Sequence, residues 1–365
     1  MPISELQKLK KIKKKIYSSI NRTIKQDQFI LGKEVRDFER ELASYLESKY
    51  VVGVNTGTDA LLYSLKVLNV GKDDEVITTP FSFSSSADVI VLAGAKPVFV
   101  DIEPKTFNIN PFEIEQAITK RTKAIIPVHL YGQSADLDPI LKIAKEYHLR
   151  VIEDAAQSLG SKYKNQFLGT FGDLGCLSFY PTKNLGAFGD GGAILTNSSK
   201  IAGHLKLMRI HGAREMYYKY SFIGGSSRLH TLQAAILRVK LKYLDWLIEQ
   251  REKIANVYYN QLAGIPFIKL PYQYSVSFHS FNYFTIRVIK KRDKLFQFLK
   301  DHGVPVEIVY PKPIHLFSPY KFLGYRQGDF PEAERAAREV LSLPINPEID
   351  KKTIDQTITL IKKFF

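Results

Sequence analysis

The stretch that decides the fold of this chain is CLSFYPTKNLGAFGDGGAI, at residues 176–194. Lys183 stands in it between two turn-forming residues, Pro181 and Asn184, and several glycines follow. A lone lysine in a glycine-rich loop is usually solvated. Here apolar runs lie on both sides of the loop, and they would remove water from the ammonium group and lower its pKa. Such a lysine is suited to forming a Schiff base.

Around this loop, the chain alternates helical patterns with short apolar runs from about residue 33 onward. This alternation predicts an α/β domain with a mainly parallel, mixed sheet. The predicted strands are 50–54, 75–79, 97–102, 123–130 and 150–154, followed by a hairpin-like pair at 175–181 and 192–197. The helices predicted between strands begin at Thr58 and lie at 85–92, 111–118 and 138–147.

The second half of the chain predicts a smaller domain. At 365 residues the chain exceeds the size at which one hydrophobic core stops growing. A long helical pattern runs from Leu229 to Leu262, and the strand-like run 281–289 and several short helical patterns follow it. We therefore predict a large domain at 1–250, which includes an N-terminal helix, and a small α+β domain at 251–365.

The distribution of charge argues against a nucleic-acid-binding protein. The net charge is +15, but the basic residues are spread along the chain, and the densest run lies between Lys8 and Lys15 on one face of an amphipathic helix. No nucleic-acid-binding motif accompanies this run, so a solvated lysine face is preferred to a binding patch. An anionic substrate would be attracted in either case.

The sequence also bears on compartment. No apolar run approaches the ~20 residues of a membrane span, and the N-terminal residues MPISELQKLKK lack the apolar core of a signal peptide. The single cysteine, Cys176, cannot form an internal disulfide. We expect a cytoplasmic protein with no membrane or nucleic-acid partner, and we assign no metal ligands.

Polar residues follow two of the predicted strands, where ligands of parallel sheets bind. The motif NTGTD at 55–59 places Gly57 and Thr58 at a helix start, whose free N–H groups favour a phosphate, although a turn closed by a helix cap explains it equally well. Further along, RVIED is followed by AAQS. The carboxylate of Asp154 could keep a pyridine nitrogen protonated, and Gln157 could donate to a phenolic oxygen, whereas an acidic helix cap is the alternative for Asp154.

Together these motifs resemble the pyridoxal-phosphate (PLP) dependent nucleotide-sugar aminotransferases of the DegT/StrS family. The similar segments are FILGKEV (29–35), NTGTDAL, PVHLYGQ, EDAAQS, SFYPTKNLGAFGDGG, SRLHTLQAAIL and LSLPINP (341–347). The resemblance covers nearly the whole chain. It implies fold type I, the aspartate aminotransferase-like fold, with PLP as cofactor and pyridoxamine phosphate (PMP) in the second half-reaction.

The resemblance also implies roles for single residues. Lys183 matches the lysine that holds the cofactor and carries the proton between cofactor and substrate, and Asp154 matches the acid on the pyridine nitrogen. Gln157 matches the glutamine on the phenolic oxygen, and Phe83 is the best match for the aromatic residue that stacks on the ring. The positions that hold the phosphate match Gly57, Thr58 and Ser178.

One family branch removes oxygen from the sugar and carries histidine in place of the Schiff-base lysine, so Lys183 indicates transamination. The family usually reads Asn-Ser-Arg-Leu-Asp where this chain reads Ser-Ser-Arg-Leu-His at 226–230. In the family this loop crosses the interface of a homodimer, so we expect shared active sites. Ser226 is shorter than asparagine, which would weaken its phosphate contact or leave it water-mediated. Arg228 would face the phosphate or the donor carboxylate across the interface, or else pair on its own helix.

Three more residues in the resembling segments are less decisive. Tyr310 and His315, in VYPKPIHLFSPY, match a segment that lines the substrate side, but a packed loop explains them nearly as well. His230 has no assigned role, and a lone histidine is more often structural than catalytic.

The resemblance therefore predicts a ping-pong reaction in deoxyaminosugar biosynthesis, such as that of a surface polysaccharide. Glutamate would supply the amino group, and C3 of a dTDP-linked 3-keto-6-deoxyhexose would receive it. The alternatives are amination at C4 of a UDP-, GDP- or dTDP-linked 4-keto-6-deoxysugar, and a non-catalytic PLP-binding regulator on the same fold. The regulator hypothesis predicts loss of the Schiff-base lysine or of the ring-pairing acid, and both Lys183 and Asp154 are present.

Overall fold

A computed structural model describes residues 3–214 and 219–365 of the chain. The helices are α1 (Ile3–Gln26), α2 (Lys33–Tyr45), α3 (Gly57–Val67), α4 (Ser85–Leu92), α5 (Leu137–Glu146), α6 (Ser199–Met208), α7 (Thr231–Leu241), α8 (Leu244–Leu262), α9 (Arg292–Asp301), α10 (Pro331–Glu339) and α11 (Lys351–Phe364). The strands are β1 (Tyr50–Val54), β2 (Glu75–Thr78), β3 (Lys96–Phe99), β4 (Thr122–Ile125), β5 (Arg150–Asp154), β6 (Lys162–Tyr163), β7 (Gln166–Phe167), β8 (Leu174–Ser178), β9 (Gly192–Thr196), β10 (Ile268–Lys269), β11 (Ser277–Phe278), β12 (Phe284–Val288) and β13 (Val340–Leu343).

A seven-stranded sheet forms the centre, in the order β1-β9-β8-β5-β4-β2-β3. Strand β9 runs antiparallel to both of its neighbours, and the remaining neighbouring pairs are parallel. The prediction of a mainly parallel, mixed sheet is therefore confirmed. Because six strands point the same way, the residues that follow β1, β2, β5 and β8 meet at one edge of the sheet.

Apolar clusters cover both faces of this sheet. One cluster joins the sheet to α3, α4 and α6, and another joins it to α2 and α7. Helix α8 connects this core to a third cluster, since Leu244 and Ile248 pack beside the sheet while Ile254 and Tyr258 pack against β12, β13, α9 and α11. The domain boundary at residue 250, which falls inside α8, stays a prediction.

Three predicted elements differ most from the structure, while several other strands are shorter than predicted. The pattern Leu229–Leu262 is two helices, α7 and α8; the apolar pattern hides the break because Leu241 and Leu244 on either side of it face the same cluster. The helix predicted at 111–118 is two short 3-10 turns. Strand β4 ends at Ile125, two residues before Pro127, which has no N–H to give to a sheet. In the described residues, no helix is both long and apolar enough to span a membrane.

Candidate active site

The start of α3 and the end of β8 form a narrow corner. The N-cap residue Thr56 accepts a hydrogen bond from the Asp59 N–H at 2.9 Å, while the N–H groups of Gly57 and Thr58 have no partner among the described residues. A Cβ added to Gly57 would lie 2.8 Å from the Cβ of Ser178, a distance that no real side chain tolerates. The corner thus brings together the three predicted phosphate positions, with free helix N–H groups beside them.

Lys183 lies on a tightly held turn at the same edge. Its N–H donates to the Tyr180 carbonyl at 2.9 Å, and the next residue, Asn184, donates to Leu159 O and to both oxygens of Ser280. Burial lowers the pKa of Lys183 to about 8, against the opposing charge of Asp154. Near neutral pH, a far larger fraction of Lys183 is therefore the neutral amine than in an ordinary lysine.

Asp154 ends β5 and is only 5% exposed. Its Oδ2 accepts a hydrogen bond from the Ser86 hydroxyl at 2.7 Å, and its Oδ1 accepts one from the Ala156 N–H at 3.2 Å. Burial raises the pKa of Asp154, while these two donors and the charge of Lys183 lower it. No described residue forms an ion pair with this carboxylate. A buried carboxylate without a cationic partner fits a protonated pyridine nitrogen, whose charge would offset the cost of burial.

Gln157 and Phe83 both contact Tyr310. The Gln157 Oε1 accepts from the Tyr131 N–H, and its Nε2 donates to the Tyr310 hydroxyl, both at 2.8 Å. The ring centroid of Phe83, a residue that is 59% exposed, lies 6.4 Å from that of Tyr310. Burial raises the pKa of Tyr310, with a contribution from the charge of Asp154, so this hydroxyl stays protonated. It can therefore donate a hydrogen bond but not act as a base.

Two histidines singled out in the sequence have other surroundings. His315 is 2% exposed, its Nε2 lies 3.2 Å from Glu334 Oε1, and its ring packs edge-on against Phe330. Burial lowers the pKa of His315, which favours the neutral imidazole. His230 precedes α7, is exposed and pairs through its backbone with Ile30, but its side chain caps no helix. Neither contact reaches Lys183 or Asp154.

The 226–228 loop is tied to the phosphate corner of its own chain. Ser227 donates to Asp59 Oδ2 at 2.6 Å and accepts from the Asn55 N–H at 3.1 Å. The flanking Ser226 and Arg228 are joined to each other, with Arg228 Nη2 2.6 Å from Ser226 Oγ. Sequence reasoning named these flanking residues but assigned nothing to Ser227 or Asp59.

Ser86 and Tyr131 are further contacts that sequence reasoning missed. Ser86 is one of three consecutive serines, and only the fold turns it toward Asp154. Tyr131 contributes its backbone N–H, for which residue identity gives no signal. The corner, the lysine of lowered pKa and the unpaired carboxylate together fit a phosphorylated pyridine cofactor with an aldehyde.

Comparison with known proteins gives the same result. The model of the DegT/DnrJ/EryC1/StrS aminotransferase family matches residues 10–362. The "Pleiotropic regulatory protein" of Geobacillus stearothermophilus is 44% identical, over 100% of this chain and 98% of that protein. The "UDP-2-acetamido-2-deoxy-3-oxo-D-glucuronate aminotransferase" of Pseudomonas aeruginosa is 41% identical, over 94% of each chain. The "dTDP-3-amino-3,6-dideoxy-alpha-D-galactopyranose transaminase" of Aneurinibacillus thermoaerophilus is 40% identical, over 100% of this chain and 99% of that protein.

Solved structures are also similar to this chain. DesV of S. venezuelae, solved in complex with a ketimine intermediate, superposes with a TM-score of 0.95 at 36% identity, covering 99% of this chain and 96% of that one. NtdA of Bacillus subtilis, solved with bound PMP, superposes with a TM-score of 0.88 at 32% identity, covering 100% of this chain and 83% of that one.

Proposed function

Because this chain belongs to the DegT/DnrJ/EryC1/StrS family and is a PLP-dependent nucleotide-sugar aminotransferase, we propose that it moves the amino group of glutamate to C3 of a dTDP-linked 3-keto-6-deoxyhexose. The observation that carries the proposal is the meeting of a lysine of lowered pKa and a buried, unpaired carboxylate beside a helix start with free N–H groups. When bound, PLP supplies a ring that takes up the negative charge left at the carbon that loses a proton.

Lys183 acts as the covalent anchor and the proton carrier. Burial lowers its pKa to about 8, so its Nζ is partly neutral near neutral pH and can bond to a carbonyl carbon. Once released, the same amine takes up a proton from one carbon and returns it to another, for which a pKa near the working pH is best. The hydrogen bonds of Asn184 hold the turn, which keeps the amine in position.

The remaining residues bind and orient the ring. Asp154 would hold a proton on the pyridine nitrogen by its charge, and the N–H groups of Gly57 and Thr58, with the Ser178 hydroxyl, would hold the phosphate. Phe83, whose ring is exposed beside Tyr310, would stack on the ring of the bound cofactor. The amide N–H of Gln157 donates to the Tyr310 hydroxyl and would donate to the phenolic oxygen of a bound PLP.

Position C3 is favoured by the relatives. The proteins of Aneurinibacillus and Pseudomonas described above carry the reacting position 3 in their names, one on a dTDP sugar and one on a UDP sugar. Amination at C4, and UDP or GDP in place of dTDP, are the alternatives. Tyr310 and His315 remain proposed as residues on the substrate side, Tyr310 through its hydroxyl and His315 through the packing of its loop.

A regulatory role is the second candidate, and the name of the Geobacillus relative is the observation that raises it. A non-catalytic regulator has no need of the Schiff-base lysine or of the ring-pairing acid. Both stand in this chain in mutual electrostatic contact, which favours catalysis.

The substrate proposal is tested with a panel of 3-keto and 4-keto sugars linked to dTDP, UDP or GDP. Each is incubated with the purified holoenzyme and ¹⁵N-labelled glutamate, and the products are analysed by mass spectrometry. We expect ¹⁵N in the product of the dTDP-linked 3-keto sugar and none with the Lys183→Ala variant. Labelling of a 4-keto sugar alone would show that the enzyme aminates C4 and not C3. Borohydride reduction followed by peptide mapping should find PLP on Lys183, and its presence on another lysine would contradict the assignment.

We also propose that the protein works as a homodimer whose sites are shared through the 226–228 loop. Apolar side chains next to this loop are exposed, with Phe29, Ile30 and Phe188 each at least 40% accessible. Each is joined through its backbone to a residue just after the loop: Phe29 to Thr231, Ile30 to His230, and Phe188 to the side chain of Gln233. Exposed apolar groups around a polar loop are typical of a protein interface. Arg228, which pairs only with Ser226 among the described residues, is available to a partner's phosphate or donor carboxylate.

Complementation tests the shared site. Lys183→Ala and Arg228→Ala chains, each inactive alone, are mixed under conditions in which subunit exchange is verified. Heterodimers should regain activity, because one of their two sites carries both wild-type residues. No recovery, with exchange proven, would mean that Arg228 serves its own chain.

A further inference from the structure

We propose that Ser86 is a positioning residue that holds Asp154 ionised and correctly turned toward the pyridine nitrogen, and that Ser82 supports it through a directed hydrogen-bond chain. This inference rests on the proposed role of Asp154. It begins from the Ser86 hydroxyl, which is completely buried and lies 2.7 Å from Asp154 Oδ2.

The direction of the chain follows from counting protons. An ionised carboxylate only accepts hydrogen bonds, so Ser86 gives its single hydroxyl proton to Asp154. The Ser82 hydroxyl lies 3.0 Å from that of Ser86 and must therefore be the donor between the two. Each bond in such a chain polarises the next, so Ser82 strengthens the donor that Ser86 presents.

The geometry gives this contact a specific task. Ser86 occupies Oδ2 and the Ala156 N–H reaches Oδ1 at 3.2 Å, so both carboxylate oxygens are fixed in direction while each keeps a free lone pair. Asp154 is buried, and burial favours its neutral form. The groups that oppose this are Ser86 and Ala156, followed by the positive charge of Lys183 and a smaller contribution from His129.

While Nζ of Lys183 is bonded covalently to a carbonyl carbon it is no longer an ammonium group. Its support for the ionised form of Asp154 therefore changes during turnover. Ser86 is neutral and stays in place throughout turnover. Ser86 also lies in the first turn of α4, which packs against the central sheet. Its hydrogen bond therefore maintains the carboxylate when the lysine does not.

The test compares Ser86→Ala with the matched control Ser85→Ala, which lies on the same helical turn and whose side chain makes no hydrogen bond within the described residues. Two quantities are measured on protein loaded with PLP labelled by ¹⁵N at the ring: the dissociation constant of the cofactor and the ¹⁵N chemical shift. The hydrogen bond to Asp154 is present without the cofactor, so its loss in Ser86→Ala predicts PLP binding weaker by up to about 150-fold, the full worth of a hydrogen bond to a charged group. The ¹⁵N signal should move toward that of an unprotonated pyridine.

Two further variants keep the inference open to refutation if Ser86→Ala does not fold. Ser86→Thr retains the hydroxyl and should restore the wild-type shift, and Ser82→Ala should move it in the same direction as Ser86→Ala but by less. Wild-type values of both quantities in Ser86→Ala or, where that variant does not fold, a wild-type shift in Ser82→Ala would overturn the proposal.

The outcome is separable from that of the proposed function. If Asp154→Asn changes the ¹⁵N shift while Ser86→Ala does not, only the role of Ser86 falls. If Asp154→Asn leaves the shift unchanged, the roles of both residues fall. If no sugar of the panel is aminated but Ser86→Ala still weakens PLP binding, the substrate proposal falls and the role of Ser86 stands.

Discussion

Gly57→Ala should damage the cofactor corner through a single steric contact. The added Cβ would lie 2.8 Å from the Cβ of Ser178, whereas carbon atoms in good contact lie about 3.5–4.0 Å apart. Both atoms are fixed to the backbone and cannot rotate away, so α3 and β8 must separate by roughly 0.7 Å. Overpacking of this kind costs about 1–3 kcal/mol of folding free energy.

The same displacement should weaken PLP binding. It moves the Ser178 hydroxyl and the N–H groups of α3 apart, and the loss of one hydrogen bond to a charged phosphate is worth about 1.5–3 kcal/mol. We therefore expect a PLP dissociation constant about 10 to 150 times larger, since 1.4 kcal/mol corresponds to about tenfold. Absorbance titration of the apo protein measures the constant, and thermal unfolding measures the loss of stability.

Gly203→Ala is the matched control. Gly203 lies inside α6, and a Cβ there would meet no atom within 4 Å. Alanine should stabilise this helix by about 0.5–1 kcal/mol without changing PLP binding. If Gly57→Ala melts at the wild-type temperature and binds PLP as tightly as Gly203→Ala, the close approach of α3 to β8 is not what shapes the site.

Three further predictions concern charge. Asp154→Asn should still bind PLP but lose turnover by about 10³-fold, near the cost of removing one electrostatic stabiliser, and a near-normal rate would mean that another group protonates the ring. Covalent attachment of PLP to the apo protein, trapped by borohydride at each pH, should increase with pH around a midpoint of about 8, because burial lowers the pKa of Lys183 to about 8. Asp154→Asn should lower this midpoint, because the carboxylate raises the pKa of Lys183. A midpoint at the pKa of an ordinary lysine would contradict the burial argument. Burial lowers the pKa of His279 to about 3, below its unfolded value, so its contribution to stability is complete above the unfolded value and is lost as the pH falls toward 3. His279→Gln should flatten the decline of melting temperature between about pH 6 and pH 4, where the histidine accounts for up to about 1.4 kcal/mol per pH unit, and an unchanged slope would show that His279 is protonated in the fold.

Local patterns predicted the sheet well, since strands depend on runs of side chains that are adjacent in sequence. The run at 150–154 is a strand with its predicted bounds, and α4 lies at the predicted 85–92. The patterns failed where a local feature opposed them. Helices α7 and α8 were predicted as one because Leu241 and Leu244 continue the periodicity across the break, where the backbone of Tyr243 leaves the helical conformation at a φ of −121°.

The sequence by itself predicted the residues to which we assign the chemistry. A lysine in a turn between apolar runs, an acid at a strand exit and a glycine before a helix are local features, and parallel strands bring their carboxyl ends to one edge. The desolvation expected for Lys183 from its neighbours agrees with the pKa of about 8 that its burial produces. These conclusions needed no knowledge of contacts between distant segments.

Only the tertiary structure decided how these residues are held. Three consecutive serines are equivalent in sequence, yet Ser86 alone reaches Asp154, because the helical turn of α4 directs one side chain of the three toward β5. The tie of Ser227 to Asp59 and the packing of His315 against Phe330 and Glu334 likewise join segments far apart in the chain. A hydrogen bond needs a distance of about 3 Å and a direction. Composition and periodicity carry neither, so such contacts exist only once the sheet and its helices have packed.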